Sequence, residues 1–451
     1  MKRLIMVSVV AAVFMFALSV PAVMAQPVDY CEGNFDNDND QDGTDAFVFK
    51  SDFGRSSLLD PCPVIACQTA EQLEMRIAQL EALLANITRS TVQGQDTIRF
   101  SNVNIQIVNG SGATNGPVNG RGNLIVGYNE LRGDDDNRTG SHNIVVGSFN
   151  NYSSFGGLVA GSTNTISAQY ASVSGGVYNT ASGNYASVSG GESNTASGGV
   201  ASVSGGGHNT ASTDVASISG GEYNTASGYY ASVSGGEHNE AAGLYASVSG
   251  GSYNIADGRY ASVSGGGHNE SRGWYSSVSA GYHNQARGEY SFVGGGGSEN
   301  PVYGNYAFGD YSAVLGGVNN TAGDPNRVDH AIGLYSCISG GRDNHASGTY
   351  ASISGGRLGS ATGDDSSVSG GYDNNASNQY ASISGGKFNT ASGEGASVTG
   401  GESNAAIATS ATVSGGFINT ASGGWSSVSG GNSRSATGMD DWAAGALYQD
   451  Q

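Results

Sequence analysis

The sequence predicts an all-β fold, a parallel β-solenoid made of stacked fifteen-residue turns. Glycine accounts for 74 of the 451 residues, twice its usual share of ~7%, whereas only 12% of the residues are charged. From Asn164 onward an Asn returns every fifteen residues, and Val or Ile keeps the same step from Val173. A repeat of this length is too short for a pair of helices. It predicts two short strands per turn, which become stable only by stacking on neighbouring turns.

Each repeat contains two stretches in which polar and small apolar residues alternate, as in a strand with one buried face. In the turn that begins at Ala171, we expect Ala171 and Val173 to face inward and Ser172 to face outward. In the second stretch we expect Ala181 inside and Thr180 outside. The recurring asparagines are expected to form a hydrogen-bonded side-chain ladder at a corner of the turn. They are Asn164, Asn179, Asn194, Asn209, Asn224, Asn239, Asn254, Asn269 and Asn284.

The repeats also set the domain limits. They run over residues 120–439 in about seventeen turns, with a shift of phase near Val314 and an irregular insertion at 298–334. A β-rich connector is expected at 91–119, and residues 440–451 are expected to form a C-terminal tail or cap.

The repeat resembles that of the YadA-like head of trimeric autotransporter adhesins. The residues that carry the resemblance are the segments 143–150, Asn-Ile-Val-Val-Gly-Ser-Phe-Asn, and 172–183, Ser-Val-Ser-Gly-Gly-Val-Tyr-Asn-Thr-Ala-Ser-Gly. The resemblance implies a left-handed parallel β-roll, three chains side by side, and adhesion outside the cell. Two departures are that the turns have fifteen residues rather than fourteen, and that no stalk or membrane barrel follows the repeats. We therefore do not expect transport or anchoring by the family's own route.

The N-terminal residues 1–25 are typical of a signal peptide. Lys2 and Arg3 precede the apolar segment 4–20, and cleavage is expected after Ala25. An uncleaved anchor is the alternative for this segment. No later segment approaches the ~18 apolar residues of a membrane span. The net charge of −20 argues against binding to nucleic acid or to anionic lipid.

The four cysteines fit an exported protein. Cys31 can pair with Cys62 or with Cys67, and the sequence alone allows both disulfides. Cys337 lies by itself inside the repeats.

Residues 26–67 are predicted to form a calcium module around a twelve-residue loop at 34–45. Alternating oxygen side chains in such a loop can wrap around one Ca²⁺, which prefers six to eight hard oxygen ligands. The candidate ligands are Asn34, Asp36, Asp38, Asp40 through its backbone carbonyl, Asp42 and Asp45. The segment resembles one half of a dockerin, whose EF-hand-like loops also end in Asp. The alternative interpretation is a solvated acidic linker.

Residues 68–90 are predicted to form a short coiled-coil helix. Thr69 and Gln72 fit a capping box that opens a helix. The apolar residues then alternate by four and three positions, which is the spacing of a coiled-coil seam. They are Leu73, Ile77, Leu80, Leu84 and Ile87. This seam and the family resemblance predict a parallel homotrimer, whereas the alternative is an amphipathic helix packed on its own chain.

Two columns of rings are predicted on the solenoid surface. A tyrosine column is expected to be a stacking ladder or a trimer contact, with a stripe that binds sugars or a partner as the alternative. Its members are Tyr170, Tyr185, Tyr230, Tyr245, Tyr260, Tyr275, Tyr290, Tyr335, Tyr350 and Tyr380. Four histidines directly precede the ladder asparagines, and we interpret them as variable turn residues rather than as a metal stripe. These are His208, His238, His268 and His283.

We predict a secreted or cell-surface adhesion protein that is not an enzyme, with one structural Ca²⁺. Its expected ligands are extracellular matrix, a cell surface or a polysaccharide. The alternative is a monomeric β-solenoid that binds or degrades polysaccharides, which would need carboxylates placed together on an exposed sheet. The best place for such chemistry is the insertion, where no acid pair at a defined spacing is found. Its titratable residues are Glu299, Asp310, Asp324, Asp329 and His330. Ice binding by a Thr column fails at Glu240 and Ile255.

Overall fold

The computed structural model describes residues 70–324, 326 and 329–444. The chain forms two compact units, residues 1–105 and 106–451. The predicted signal peptide, the predicted calcium loop at 34–45 and the cysteines before the repeats lie outside the described residues. Among the described helices, none has the length and apolar character that crossing a membrane requires.

The described part of the first unit, residues 70–105, contains one helix and one β-hairpin. Helix α1 spans Ala70–Leu84, and strands β1 (Ile87–Val92) and β2 (Gln95–Phe100) pair in antiparallel. Gln93 and Gly94 form the turn between them with φ values of 50° and 82°, which suit a tight hairpin.

Helix α1 is shorter than the predicted span of 68–90. Ile87, the last residue of the predicted seam, belongs to β1, because Ile87–Val92 is rich in β-branched residues and pairs along its whole length with β2. The seam therefore consists of Leu73, Ile77, Leu80 and Leu84. The first three of these side chains are about half exposed in the single chain.

The second unit contains two long parallel sheets. The first, which we call the valine sheet, carries the Val or Ile of each turn and has 21 strands in the described part of the chain. Its strands are Leu124–Val126, Ile144–Ser148, Leu158–Ser162, Ser172–Val173, Ser187–Val188, Ser202–Val203, Ser217–Ile218, Ser232–Val233, Ser247–Val248, Ser262–Val263, Ser277–Val278, Phe292–Val293, Ala313–Val314, Cys337–Ile338, Ser352–Ile353, Ser367–Val368, Ser382–Ile383, Ser397–Val398, Thr412–Val413, Ser427–Val428 and Trp442–Ala443.

The second sheet, which we call the alanine sheet, carries the inward Ala of nearly every turn and has 19 strands in the same described part. Its strands are Asn151–Tyr152, Thr165–Ile166, Thr180–Ala181, Thr195–Ala196, Thr210–Ala211, Thr225–Ala226, Glu240–Ala241, Ile255–Ala256, Glu270–Ser271, Gln285–Ala286, Tyr306–Ala307, Thr321–Ala322, His345–Ala346, Ser360–Ala361, Asn375–Ala376, Thr390–Ala391, Ala405–Ala406, Thr420–Ala421 and Ser435–Ala436.

Each strand pairs in parallel with its equivalents in the turns before and after it. Val188, for example, lies between Val173 and Val203, at steps of fifteen residues. The first described step, from Ile125 to Val145, has twenty residues, and the next two, to Val159 and to Val173, have fourteen. This register confirms the predicted parallel solenoid of about fifteen residues per turn.

The core is a narrow double row of small apolar side chains between the two sheets. Ala171, Val173 and Ala181 are fully buried, whereas Ser172 and Thr180 are partly exposed, so the predicted alternation is confirmed. A single turn of this size buries little apolar surface. Stability therefore depends on burial and hydrogen bonding between successive turns.

The predicted asparagine ladder is present, but its hydrogen bonds run from side chain to backbone. The fully buried Asn254 accepts the amide of Asn269 at Oδ1, at 3.0 Å. Its Nδ2 donates to the carbonyl oxygens of Gly250 and Gly266, at 2.9 and 3.0 Å. One acceptor and two donors per side chain match what Asn offers, which explains why this residue recurs in the column.

The insertion predicted at 298–334 consists of two separate insertions with a regular turn between them. The step from Val293 to Val314 has 21 residues and the step from Val314 to Ile338 has 24. The first insertion holds the 3₁₀ helix Pro301–Tyr303. Between the insertions, Asn305 donates its amide to Asn284 Oδ1 at 3.0 Å, so the ladder continues at a position that the fifteen-residue spacing does not reveal.

Candidate functional site

The tyrosine column forms a stack of rings along the surface of the second unit. Eight rings, from Tyr230 to Tyr350, stack with centroids 4.7–5.1 Å apart and interplanar angles of 0–18°. Tyr311 also belongs to this stack. The fifteen-residue spacing does not predict it, because Tyr311 follows the 21-residue step. The predicted stacking ladder is thus confirmed for these rings and for the separate pair of Tyr170 and Tyr185, whereas Tyr380 stacks on no ring in the described part of the chain.

Every tyrosine of the column occupies the left-handed region of backbone conformation. Tyr245 has a φ of 58° and donates its amide to the carbonyl of Tyr229 in the previous turn, at 2.9 Å. This conformation costs roughly 1–2 kcal/mol for a residue other than Gly. Stacking of neighbouring rings, worth about 0.5–1.5 kcal/mol beyond burial, offsets much of that cost.

A second stack, the histidine–tyrosine column, runs through the residues that precede the ladder asparagines. Its members are His208, Tyr223, His238, Tyr253, His268 and His283. Their centroids are 4.6–4.9 Å apart, with angles of 3–18°. Only the histidines of this column were predicted from the sequence to share a position in the repeat. The signal for the stack was that Tyr223 and Tyr253 occupy the same register.

The stacked geometry does not suit a metal site. Parallel imidazoles direct their nitrogen lone pairs in parallel, so that His268 and His283 cannot converge on one tetrahedral ion. Within the described residues, no group of three or more His, Cys, Asp or Glu side chains is placed to hold a metal.

A groove of 510 Å³ lies beside the histidine–tyrosine column. Rings such as His238 and His268 form one wall, and outward residues of the alanine sheet such as Glu240 and Glu270 form the other. Pro301, from the first insertion, also lines it. Glu270 is paired with Arg272 and Arg287, each at 3.1 Å, whereas Glu240 is exposed. The groove therefore presents ring edges, imidazole nitrogens and carboxylates.

Two histidines near the insertions have pKa values below the ordinary value of a histidine. Burial, and next the neighbouring His268, lower the pKa of His283, whose Nε2 lies 3.1 Å from the carbonyl oxygen of Glu299. Burial in the alanine sheet also lowers the pKa of His345. The charged form of both imidazoles is therefore disfavoured in the folded chain.

We expect acid to destabilise this part of the solenoid. Since both folded pKa values lie below the ordinary ~6.5, the unfolded chain binds more protons just under that pH, and stability falls as the pH drops through it. His283→Tyr keeps a stackable ring, as at Tyr253, and removes one titrating group. Urea unfolding at pH 8 and at pH 5 should show a smaller loss of stability for this variant. An identical pH dependence in the variant and the original chain would contradict the assignment.

Acidic side chains in and near the insertions accept hydrogen bonds from backbone amides. Asp310 Oδ1 accepts the amide of Glu289 at 2.7 Å, and the buried Asp324 accepts the amides of Asn326 and Asp329 at 2.8 and 3.0 Å.

The side chain of His330 also forms a hydrogen bond with the backbone. Its Nδ1 donates to the carbonyl of Phe308, at 2.7 Å. Glu299 lies near the groove through its carbonyl, which receives His283. In the described contacts, the side chains of Asp310, Asp324, Asp329 and His330 thus bond to backbone groups, and Glu299 contributes its carbonyl oxygen.

Neither a scan against protein-family models nor a search of curated proteins finds a match to the chain. The chemistry of the surface must therefore be judged from its geometry. Stacked rings cover each other's faces and expose their edges and polar atoms. The two columns thus offer rows of similar ring contacts at the ~4.8 Å rise of a strand ladder.

Proposed function

We propose that this protein is a secreted or cell-surface adhesion protein that displays its repetitive surface and catalyses no reaction. The observation that carries the proposal is the pair of exposed ring columns on a repetitive scaffold. Contacts that are weak one by one can sum to a useful avidity when they repeat at fixed spacing. The extracellular matrix, a cell surface or a polysaccharide would be the partner.

Two features of the sequence support this proposal. The segment 1–25 is typical of a signal peptide and would direct export. The repeats resemble the YadA-like heads of trimeric autotransporter adhesins, which act outside the cell. Two early steps of the solenoid, from Val145 to Val159 and from Val159 to Val173, have the fourteen-residue length of that repeat.

The working form that we propose is a parallel homotrimer. Leu73, Ile77 and Leu80 of α1 are about half exposed in the single chain, so their apolar surface would gain from association. A helix of 15 residues is marginal by itself in water. Packing of three α1 helices would bury this seam and hold three solenoids at a high local concentration.

Polar substitution of the seam should release monomers. In the double variant Ile77→Asn and Leu80→Asn, unpaired amides would replace buried side chains, and the mass from light scattering should fall from three chains to one. Met75→Asn is the matched control, because Met75 is 60% exposed on another face of α1 and its replacement should leave the mass unchanged.

The same variants test adhesion. If binding to a matrix or polysaccharide surface depends on avidity, the seam variant should bind far more weakly than the original chain. A mass of one chain for the unmodified mature protein would reject the trimer. Undiminished surface binding by a monomeric seam variant would reject avidity as the basis of adhesion.

A monomeric polysaccharide-binding protein is the second candidate, and the groove beside Glu240 is the observation that favours it. Sugars usually pack against open ring faces, however, and the faces of His238 and Tyr253 are covered by their neighbours in the stack. A ligand in this groove would depend on hydrogen bonds to ring edges and carboxylates. We therefore favour adhesion by the columns.

A structural calcium ion is also part of the proposal, which here depends on the sequence of loop 34–45 alone. The mature protein should bind one Ca²⁺, and Asp36→Ala together with Asp38→Ala should abolish binding in calorimetry, because two of the oxygen ligands are lost. Asp29→Ala, outside the loop, is the control. Equal calcium binding by the double variant would contradict the site. Calcium should stabilise only the module that holds it.

A further inference from the structure

At one position of the tyrosine column, a carboxylate residue lies between two tyrosines. Tyr350, Asp365 and Tyr380 occupy equivalent positions in three successive turns, with φ values of 58°, 55° and 58°. The amide of Asp365 donates to the carbonyl of Thr349 at 2.8 Å, in the way that the amide of Tyr380 donates to Asp364 at 2.9 Å. The backbone is therefore the same at the three positions, and only the side chain differs.

The missing ring leaves the neighbouring ring faces open. Tyr350 stacks on Tyr335 at 4.8 Å and has its other side toward Asp365. Tyr350, with a ring on one side, is 57% exposed, whereas Tyr335, with a ring on each side, is 44% exposed. Tyr380 is 56% exposed and is followed in the column by Gly395, so its face toward Asp365 is open as well. The additional exposed surface is what an unstacked ring face would contribute.

The spacing of the column determines what fits in this slot. Two steps of the ladder separate Tyr350 and Tyr380 by about 9.6 Å, so a flat group midway would lie ~4.8 Å from each ring. That distance is inside the ~6 Å at which a cation is attracted to an aromatic face. The slot is one planar group wide.

The negative charge beside the slot favours the binding of a cation. The Asp365 side chain is exposed, and its carboxylate makes no hydrogen bond or ion pair to any residue that the structure describes. Asp364 adds a second carboxylate, whose Oδ1 is held by the amide of Thr349 at 2.8 Å. A neutral ring would fill the space but would leave the charge of Asp365 unpaired.

We propose that Tyr350, Asp365 and Tyr380 bind a guanidinium group, the side chain of an arginine on a partner protein. A guanidinium is planar, stacks on aromatic faces and donates to a carboxylate in its own plane, so one group can use both rings and the acid together. An ammonium such as that of lysine is a strongly hydrated point charge that uses this shape poorly. The site stands on its own geometry and requires neither the trimer nor adhesion.

The test uses the mature protein and Nα-acetyl-arginine amide as the probe, with binding followed by ligand-observed NMR titration. The arginine probe should bind about fivefold more tightly than the lysine analogue. Asp365→Asn, which keeps the shape and removes the charge, should weaken arginine binding by a similar ~5-fold, equivalent to about 1 kcal/mol. Asp257→Asn is the control, because Asp257 is an exposed carboxylate outside the tyrosine column.

A second variant separates the slot from the charge alone. Asp365→Tyr should complete the stack from Tyr335 to Tyr380 and abolish binding, while the thermal midpoint stays the same or rises. Equal binding of the arginine and lysine probes would overturn the guanidinium assignment. Unchanged arginine binding in Asp365→Asn or Asp365→Tyr, or no binding to the original chain, would overturn the site.

Discussion

Replacing Asn254 by Ala should lower the free energy of unfolding of the solenoid by about 3–5 kcal/mol. The substitution removes the acceptor of the Asn269 amide and the donors to the carbonyls of Gly250 and Gly266. The amide of Asn269 is buried between turns, where water cannot replace the lost acceptor. The two glycine carbonyls are partly buried, and that of Gly266 keeps the amide of Ser252 as a donor at 3.0 Å. Each buried polar group left unpaired costs roughly 1–3 kcal/mol, which makes this the most damaging change available at a single side chain of the ladder.

The chain itself offers the reverse experiment at Gly359. This buried glycine occupies the asparagine position of its turn, so Asn344 Oδ1 accepts the Gly359 amide at 2.8 Å, but Gly359 has no side chain to receive the amide of Asn374. Its φ lies outside the left-handed region, and an added Cβ would have Asn344 Oδ1 at 3.0 Å as its nearest neighbour. Gly359→Asn should therefore complete the ladder and stabilise the solenoid by about 1–2 kcal/mol.

Chemical denaturation of the two variants beside the original chain measures both effects. Asn254→Ala should lower the denaturant midpoint and Gly359→Asn should raise it. Because each turn contacts only its neighbours, the destabilisation should be strongest in hydrogen exchange around the substituted turn. A midpoint of Asn254→Ala equal to that of the original chain would show that the ladder bonds contribute little.

The parallel solenoid could be predicted because one short pattern is repeated many times. The alternation of apolar and polar residues at Ala171, Ser172 and Val173 indicates which face of the strand is buried. The constant step between turns indicates which residues pair. The partners of Asn254 could not be predicted, because they are backbone carbonyls whose direction depends on the turn geometry. The end of α1 before Ile87 was missed because an apolar residue at heptad spacing also fits a strand.

The ring columns were predictable in part for the same reason. The tyrosine column kept its step and was found, except for Tyr311, which follows a 21-residue step. The histidine–tyrosine column was missed as a stack because its members differ in type from turn to turn. The place of Asp365 between two tyrosines can be predicted from the fifteen-residue step, but the open faces of Tyr350 and Tyr380 depend on how the rings stack.

The second large effect concerns a single glycine of the corner that precedes the asparagine. Gly251 has a φ of 86°, and a Cβ at this position would lie 2.5 Å from Asn254 Nδ2 and would overlap the carbonyl oxygen of Gly266 in the next turn. The overlapping atom belongs to the backbone, so it cannot move aside without separating the two turns. The equivalent position is Gly in nineteen described turns: Gly147, Gly161, Gly176, Gly191, Gly206, Gly221, Gly236, Gly251, Gly266, Gly281, Gly296, Gly317, Gly341, Gly356, Gly371, Gly386, Gly401, Gly416 and Gly431.

Gly251→Ala should therefore lower the free energy of unfolding by about 3 kcal/mol or more, the sum of a left-handed backbone penalty and an overpacked contact. Gly250→Ala is a control at the preceding residue, because nothing lies within 4 Å of its added Cβ and its φ is outside the left-handed region. Ala280 already occupies the position of Gly250 in another turn. We expect Gly250→Ala to change stability by less than about 1 kcal/mol in either direction. Equal denaturation midpoints for the two variants would mean that the turns can separate at the corner, and that the close stacking of backbone on backbone is not what fixes the step of the solenoid.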